Sequence, residues 1–185
     1  MSSRDEAARA FPVLARAALG CLEERGFRLA KHNGLLRWAS TTVSFEIWVD
    51  PREQSLATEL GRSRGRDPGF LLEEVAKLVG FDLRIGIGAT ASIPVLERAL
   101  GRVAALLSGP AAVAIAGEDA FFARLRKQRN RAHDESMDRP IRRDVEEAWR
   151  AGELARVADL LAALERPTAS EVAKLRYALA RLARE

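Results

Sequence analysis

The sequence predicts an α+β fold: an N-terminal helix, an antiparallel β-meander of about four strands, then helices ending in a C-terminal antiparallel helical hairpin. Three observations predict it. In the run 42–50, Val43, Phe45, Ile47 and Val49 alternate with Ser44, Glu46, Trp48 and Asp50, the period-two pattern of a strand with one buried face. Within residues 5–25, Phe11, Leu14, Ala18 and Leu22 recur at helical spacing. Near the end, Leu154, Val157, Leu161 and Leu164, then Val172, Leu175, Leu179 and Leu182, step by three and four on either side of Glu165-Arg166-Pro167.

The elements follow in order. Gly26 sits where the first helix needs a C-cap, and Pro12 falls near its first turns. Strands are expected at 27–31 and 35–40, joined through His32, Asn33 and Gly34, because Asn-Gly between extended runs favours a tight hairpin. The strand 42–50 ends in a turn at Asp50-Pro51-Arg52-Glu53, and 55–62 alternates Leu56, Thr58 and Leu60 as the last strand. Residues 62–69 form a loop, and Asp67-Pro68 starts a helix over 70–80 with Glu73 and Glu74 near its positive end. The stretch 81–94 is ambiguous. Pro94 and Gly109-Pro110 bracket a helix over 95–108. Residues 111–119 read as a short strand or a loop, and a helix runs from about residue 118 into a basic segment. Thr168 and Glu171 form a capping box for the last helix. The division expected is an α+β body over 1–123, a basic helix end and connector over 124–143, and the helical hairpin over 144–185 packed on the body as one domain.

Composition narrows the function. Hydrophobic residues make up 48% and charged residues 30% of the 185, enough for a packed core. No apolar run approaches the roughly 20 residues of a membrane-spanning helix. The N-terminal stretch carries early acids and no apolar signal core, so the expectation is a cytoplasmic protein with no membrane association. A lone Cys21 gives neither an internal disulfide nor a cysteine zinc site. The segment 124–143 carries eight cations and three acids, against a net charge of +4 for the whole chain, so the rest is balanced.

Several arrangements evoke chemistry. Gly86-Ile87-Gly88-Ala89-Thr90-Ala91 fits a dinucleotide-binding turn. However, Pro94 postpones the helix, no acid stands at the ribose position, and a meander flanks it instead of repeated βαβ units. It reads as a turn, and no cofactor is expected. His133, Asp134 and Glu135 are consecutive, and on a helix they fan out by about 100° each, so they do not converge on one ion; no metal is expected. Arg124, Lys127 and Arg131 share a helical face flanked by Arg126 and Arg129. That face suits a phosphate backbone or a protein partner, but no aromatic interleaves to stack on bases. Trp48 lies on the polar side of its strand with Glu46. Trp38, whose face the sequence leaves open, is a candidate to join it as an interface anchor. The candidate partner-binding residues are therefore Trp38, Trp48, Glu46, Arg124, Lys127 and Arg131.

The run Arg129-Asn130-Arg131-Ala132-His133 resembles the HEPN ribonucleases, in which a helical Arg and His assemble across a dimer for metal-free RNA cleavage. The resemblance implies His133 for acid–base work and Arg126 or Arg129 for holding phosphate. Three residues separate Arg129 from His133, one fewer than the motif's shortest spacer, and six separate Arg126 from it. Lys127 follows Arg126 where that family carries Asn or Asp, and its fold is all-helical. A broader likeness covers roughly two thirds of the chain. The stretch from Gly26-Phe27 through "VSFEIWVDPREQSLATELGR" to "FLLEEVAKLVG", with the tail "AWRAGELARVADLLAALERPTASEVAKLRYA", resembles bacterial α+β proteins of immunity type. That likeness implies a non-enzymatic protein-binding module that inhibits a toxin by steric occlusion. Its motifs are structural, so it implies no active-site residue. The alternative is an RNA-directed protein using the segment 124–143.

Overall fold

The computed structural model describes residues 3–32, 34–50, 55–63, 69–86 and 92–183. Asn33 of the first hairpin, the turn at 51–53, Asp67-Pro68 and residues 87–91 of the glycine stretch lie outside them. The chain divides into two compact units, Met1–Arg126 and Lys127–Glu185.

The first unit opens with α1, Ser3–Ala18, and α2, Gly20–Glu24. The single helix expected over 5–25 is thus broken at Leu19, which is fully buried. The buried positions Ala7, Phe11, Ala15 and Leu19 recur every fourth residue, so α1 turns one narrow stripe inward. Gly26 ends this segment at φ 84°, a left-handed conformation that only glycine adopts freely.

Next come β1, Arg28–His32; β2, Leu35–Ala39; β3, Val43–Asp50; β4, Ser55–Arg62; and β5, Phe70–Leu71. They form one antiparallel sheet in the order β1-β2-β3-β4-β5. The fold class is the α+β meander expected, with a fifth strand added. Leu29, Trp38, Phe45, Leu60 and Phe70 are successive register partners across all five strands. Leu36, Ile47 and Thr58 make the adjacent row. The first row is buried from β2 to β5 and the second from β2 to β4, and the Trp38 and Phe45 rings meet at a tilt with centroids 6.2 Å apart. Full burial of a side chain such as Phe45 contributes about 2–3 kcal/mol. The fifth strand takes Phe70 and Leu71 from the helix expected to start there. Gly69 donates its N–H to Glu59 Oε1 at 3.0 Å, and a Cβ at Gly69 would stand 2.0 Å from that oxygen. Glycine is what lets the chain come back to the sheet here.

The helices α3, Leu72–Val79; α4, Ile93–Ser108; and α5, Ala112–Ile115, follow. Glu74 Oε2 accepts from Leu71 N at 2.9 Å and caps α3. The short strand or loop near residue 111 is instead the single-turn α5, with Ala111 and Ala114 fully buried. One apolar cluster joins α1, α2, α3, α4, α5, the inner sheet face and the first turns of α6, Asp119–Ala151.

The second unit holds the rest of α6 with α7, Leu154–Ala162, and α8, Ala169–Leu182. The segment 124–143, expected to run out into a connector, lies wholly inside α6, which continues through Pro140. A proline in a helix interior costs about 3 kcal/mol. Tertiary anchors two residues to either side offset it. Asp138 is completely buried and accepts from the backbone N–H groups of Glu165 (3.0 Å) and Arg166 (3.2 Å). Arg142 reaches Asp138 Oδ2 at 3.3 Å, Glu171 Oε1 at 2.8 Å and the Arg166 carbonyl at 2.9 Å. One turn before Asp138, Asp134 pairs with Arg166 at 2.6 Å. Asp134, Asp138 and Arg142 therefore stand on one face of α6 and grip the α7–α8 turn.

The capping box forms as expected: Glu171 N donates to Thr168 Oγ1 at 3.2 Å, and Thr168 N to Glu171 Oε2 at 2.6 Å. Burial opposes ionisation of Glu171, but hydrogen bonds from Thr168 and Arg142 outweigh it and lower its pKa. The first apolar stripe is buried through Val157, Leu161 and Leu164. The second is rotated from expectation: Ala178 is fully buried while Leu179 is 53% exposed. Replacing Asp138 by alanine leaves two partly buried N–H groups and a guanidinium short of their acceptor. The expected cost is about 3 kcal/mol, read by urea denaturation, with hydrogen-exchange protection lost at the Glu165 and Arg166 amides.

Candidate functional site

The break at Leu19 has a surface consequence. It leaves an open groove of about 860 Å³ between α1–α2 and the edge of the sheet. Pro12, Val13 and Ala17 line it from α1, Gly20 and Glu23 from α2, and Leu29, Lys31 and Leu36 from β1 and β2. Val13 faces away from the stripe made by Phe11 and Ala15 and is 72% exposed. Gly20 contributes no side chain, and a Cβ there would meet nothing within 4 Å. Arg16 spans the α1–α2 break on the rim, its Nε 3.1 Å from Glu23 Oε1 and its Nη2 3.0 Å from Oε2. The hydrogen bond to Glu23, and then its charge, raise the Arg16 pKa. Arg16 and Glu23 thus compensate each other, while Lys31 stands exposed on β1. The lining is apolar along its length and charged at the edge.

The residues singled out by sequence are not gathered at one place. Trp38 is 0% exposed in the first unit's core. Its register with Phe45 puts it on the buried face, so it is a packing residue and not a surface anchor. Trp48 is half-buried on the opposite face, paired with Ala57. Glu46 is half-buried and its Oε1 lies 3.3 Å from Arg37 Nε across the β2–β3 register. Arg124, Lys127 and Arg131 are exposed positions of α6. Arg126 and His133 are exposed and Arg129 is half-buried. Of the acids that follow His133, Asp134 pairs with Arg166 and Asp138 with the hairpin turn, while Glu135 is exposed. Cys21 is half-buried, its Sγ 3.4 Å from Ser108 Oγ. No helix among the described residues is long and apolar enough to cross a membrane.

The groove is the feature sequence reasoning missed. Its signals were Gly20 inside an apolar helical run and Pro12-Val13 off the buried stripe. The grip of Asp134, Asp138 and Arg142 was also missed, although the spacing i, i+4, i+8 places them on one face. No protein-family model, curated protein or solved structure matches the chain. Val13 and Ala17 are exposed, so Val13→Glu and Ala17→Glu are expected to change stability by no more than about 0.5 kcal/mol. Trp38→Ala, by contrast, should cost about 4 kcal/mol in the same urea titration.

Proposed function

We propose that this chain is a non-enzymatic, cytoplasmic protein-binding module of immunity type, which seats part of a bacterial toxin in the α1–β1 groove and blocks it sterically. The observation that supports this reading is the groove itself. Its length is apolar through Pro12, Val13, Ala17, Leu29 and Leu36, and its rim is charged through Arg16, Glu23 and Lys31. An apolar centre inside a polar rim is the anatomy that a partner protein buries. The chain's positive balance favours an acidic or neutral target, since inhibitors of basic targets gain encounter rate from acidic surfaces. Trp48, half-buried on the other sheet face, and the exposed Arg124, Lys127 and Arg131 of α6 are further surfaces for such a partner.

A second reading draws on those same three cations with His133, all exposed on α6: an RNA-directed protein that holds the phosphate backbone, with Arg126, Arg129 and His133 as the HEPN-like set. The antiparallel sheet departs from that family's all-helical fold.

One experiment separates the two. The chain is produced together with a toxin encoded beside its gene, and survival and binding are measured. On the first reading the wild type protects, Val13→Glu with Ala17→Glu abolishes protection, and charge reversal at Arg124, Lys127 and Arg131 leaves most of it. The same variants are then titrated with a single-stranded RNA oligonucleotide. RNA binding that falls steeply with salt and is lost on charge reversal, or RNA cleavage lost in His133→Ala, would replace the first reading with the second.

A further inference from the structure

Hydrogen-bond parity across the sheet determines what β1 offers at its free edge. Ser40 N donates to Val43 O at 2.8 Å, and Ser63 N to Thr42 O at 3.0 Å. In an antiparallel ladder, bonded and non-bonded pairs alternate. Leu36, Trp38 and Ser40 therefore bond toward β3, and Leu35, Arg37 and Ala39 toward β1. Their register partners on β1 are His32, Ala30 and Arg28. The N–H and C=O groups of Leu29 and Lys31 accordingly point away from β2, and among the described residues no strand pairs with that edge. Leu29 and Lys31 also line the groove with their side chains. The same two residues thus present backbone groups along the edge and a side-chain surface beside it.

We infer that β1 takes up an extended segment of the partner as a sixth strand, its alternate apolar side chains seated against α1 and its flanks acidic. This rests on the protein-binding reading above and names the partner's chemistry. Each outward residue offers one donor and one acceptor, and added strands gain affinity from such main-chain bonds and specificity from the pockets for alternate side chains. Val13 and Ala17 across the groove, with Leu29 beside them, receive the apolar side chains. Charge sets the flanks. Arg25, Arg28 and Lys31 are exposed along β1 and the turn before it, against one exposed acid, Glu24, while Glu23 is committed to Arg16, so the balance there stays positive. A second copy of the chain is the wrong occupant, because it would bring another Arg28 and Lys31 into the same ladder, and like charges there repel.

The test uses the full chain and short synthetic peptides alternating valine and threonine, read by fluorescence anisotropy and by amide exchange at Leu29 and Lys31. A peptide flanked by glutamates should bind about tenfold tighter than one flanked by lysines. N-methylation of alternate backbone amides should abolish binding in one parity and spare it in the other. Lys31→Pro removes an outward N–H and leaves the ladder to β2 intact, a substitution that edge strands tolerate. It should keep the melting temperature and weaken binding about tenfold. If that variant fails to fold, the two N-methyl series decide. Equal affinity for both parities, or no binding of the glutamate peptide, overturns strand addition. So do β1-dependent dimers in sedimentation. An amphipathic helical peptide that binds, is lost in Val13→Glu and ignores Lys31→Pro would reject strand addition while keeping the protein-binding reading.

Discussion

A single row of side chains crosses every strand of the sheet. Leu29, Trp38, Phe45, Leu60 and Phe70 sit opposite one another in register, and a slip of one residue on any strand would turn its member of the row to the other face. The first unit depends on that alignment. It puts the apolar half of β3 against the helices and leaves Arg37, Glu46 and Trp48 on the opposite side. It also sets which backbone groups of β1 are spent on β2 and which remain at the edge. Burial along the row and the chemistry available at the sheet's end are two results of one register.

The sequence carried this register unevenly. β3 was readable because its alternation is clean over eight residues. Trp38 was not, because Leu35, Leu36 and Ala39 are apolar on both sides of β2 and blur the period. Only pairing with Phe45 assigns it to the core. The fifth strand is two residues long, too short for any periodic signal, and Gly69 beneath Glu59 is a tertiary reason for it. The break at Leu19 was hidden by apolar spacing that persists across it from Phe11 to Leu22. The groove, which depends on that break, was hidden with it.

The basic segment shows the opposite difficulty. A dense run of charges made 124–143 look like the end of a helix. The charges divide instead into two kinds. Arg124, Lys127 and Arg131 are exposed, whereas Asp134, Asp138 and Arg142 are structural. Composition counts both alike, and only the position of the α7–α8 turn distinguishes them. The capping box at Thr168 was legible because it is local. The acceptor for Glu165 and Arg166 lies 27 and 28 residues earlier in the chain, beyond the reach of any local pattern.

That separation bears on where the chain can be cut. A fragment beginning at residue 144 would contain both helices of the hairpin and its capping box, yet lack Asp134, Asp138 and Arg142. Its inter-helix turn would have to find water for the amides that a carboxylate now satisfies. During synthesis the order runs the other way. The carboxylate leaves the ribosome first and waits for the turn it will hold, so the last helices dock onto an acceptor already in place. The natural boundary of the C-terminal unit therefore lies upstream of its apparent hairpin, inside the helix that supplies its clasp.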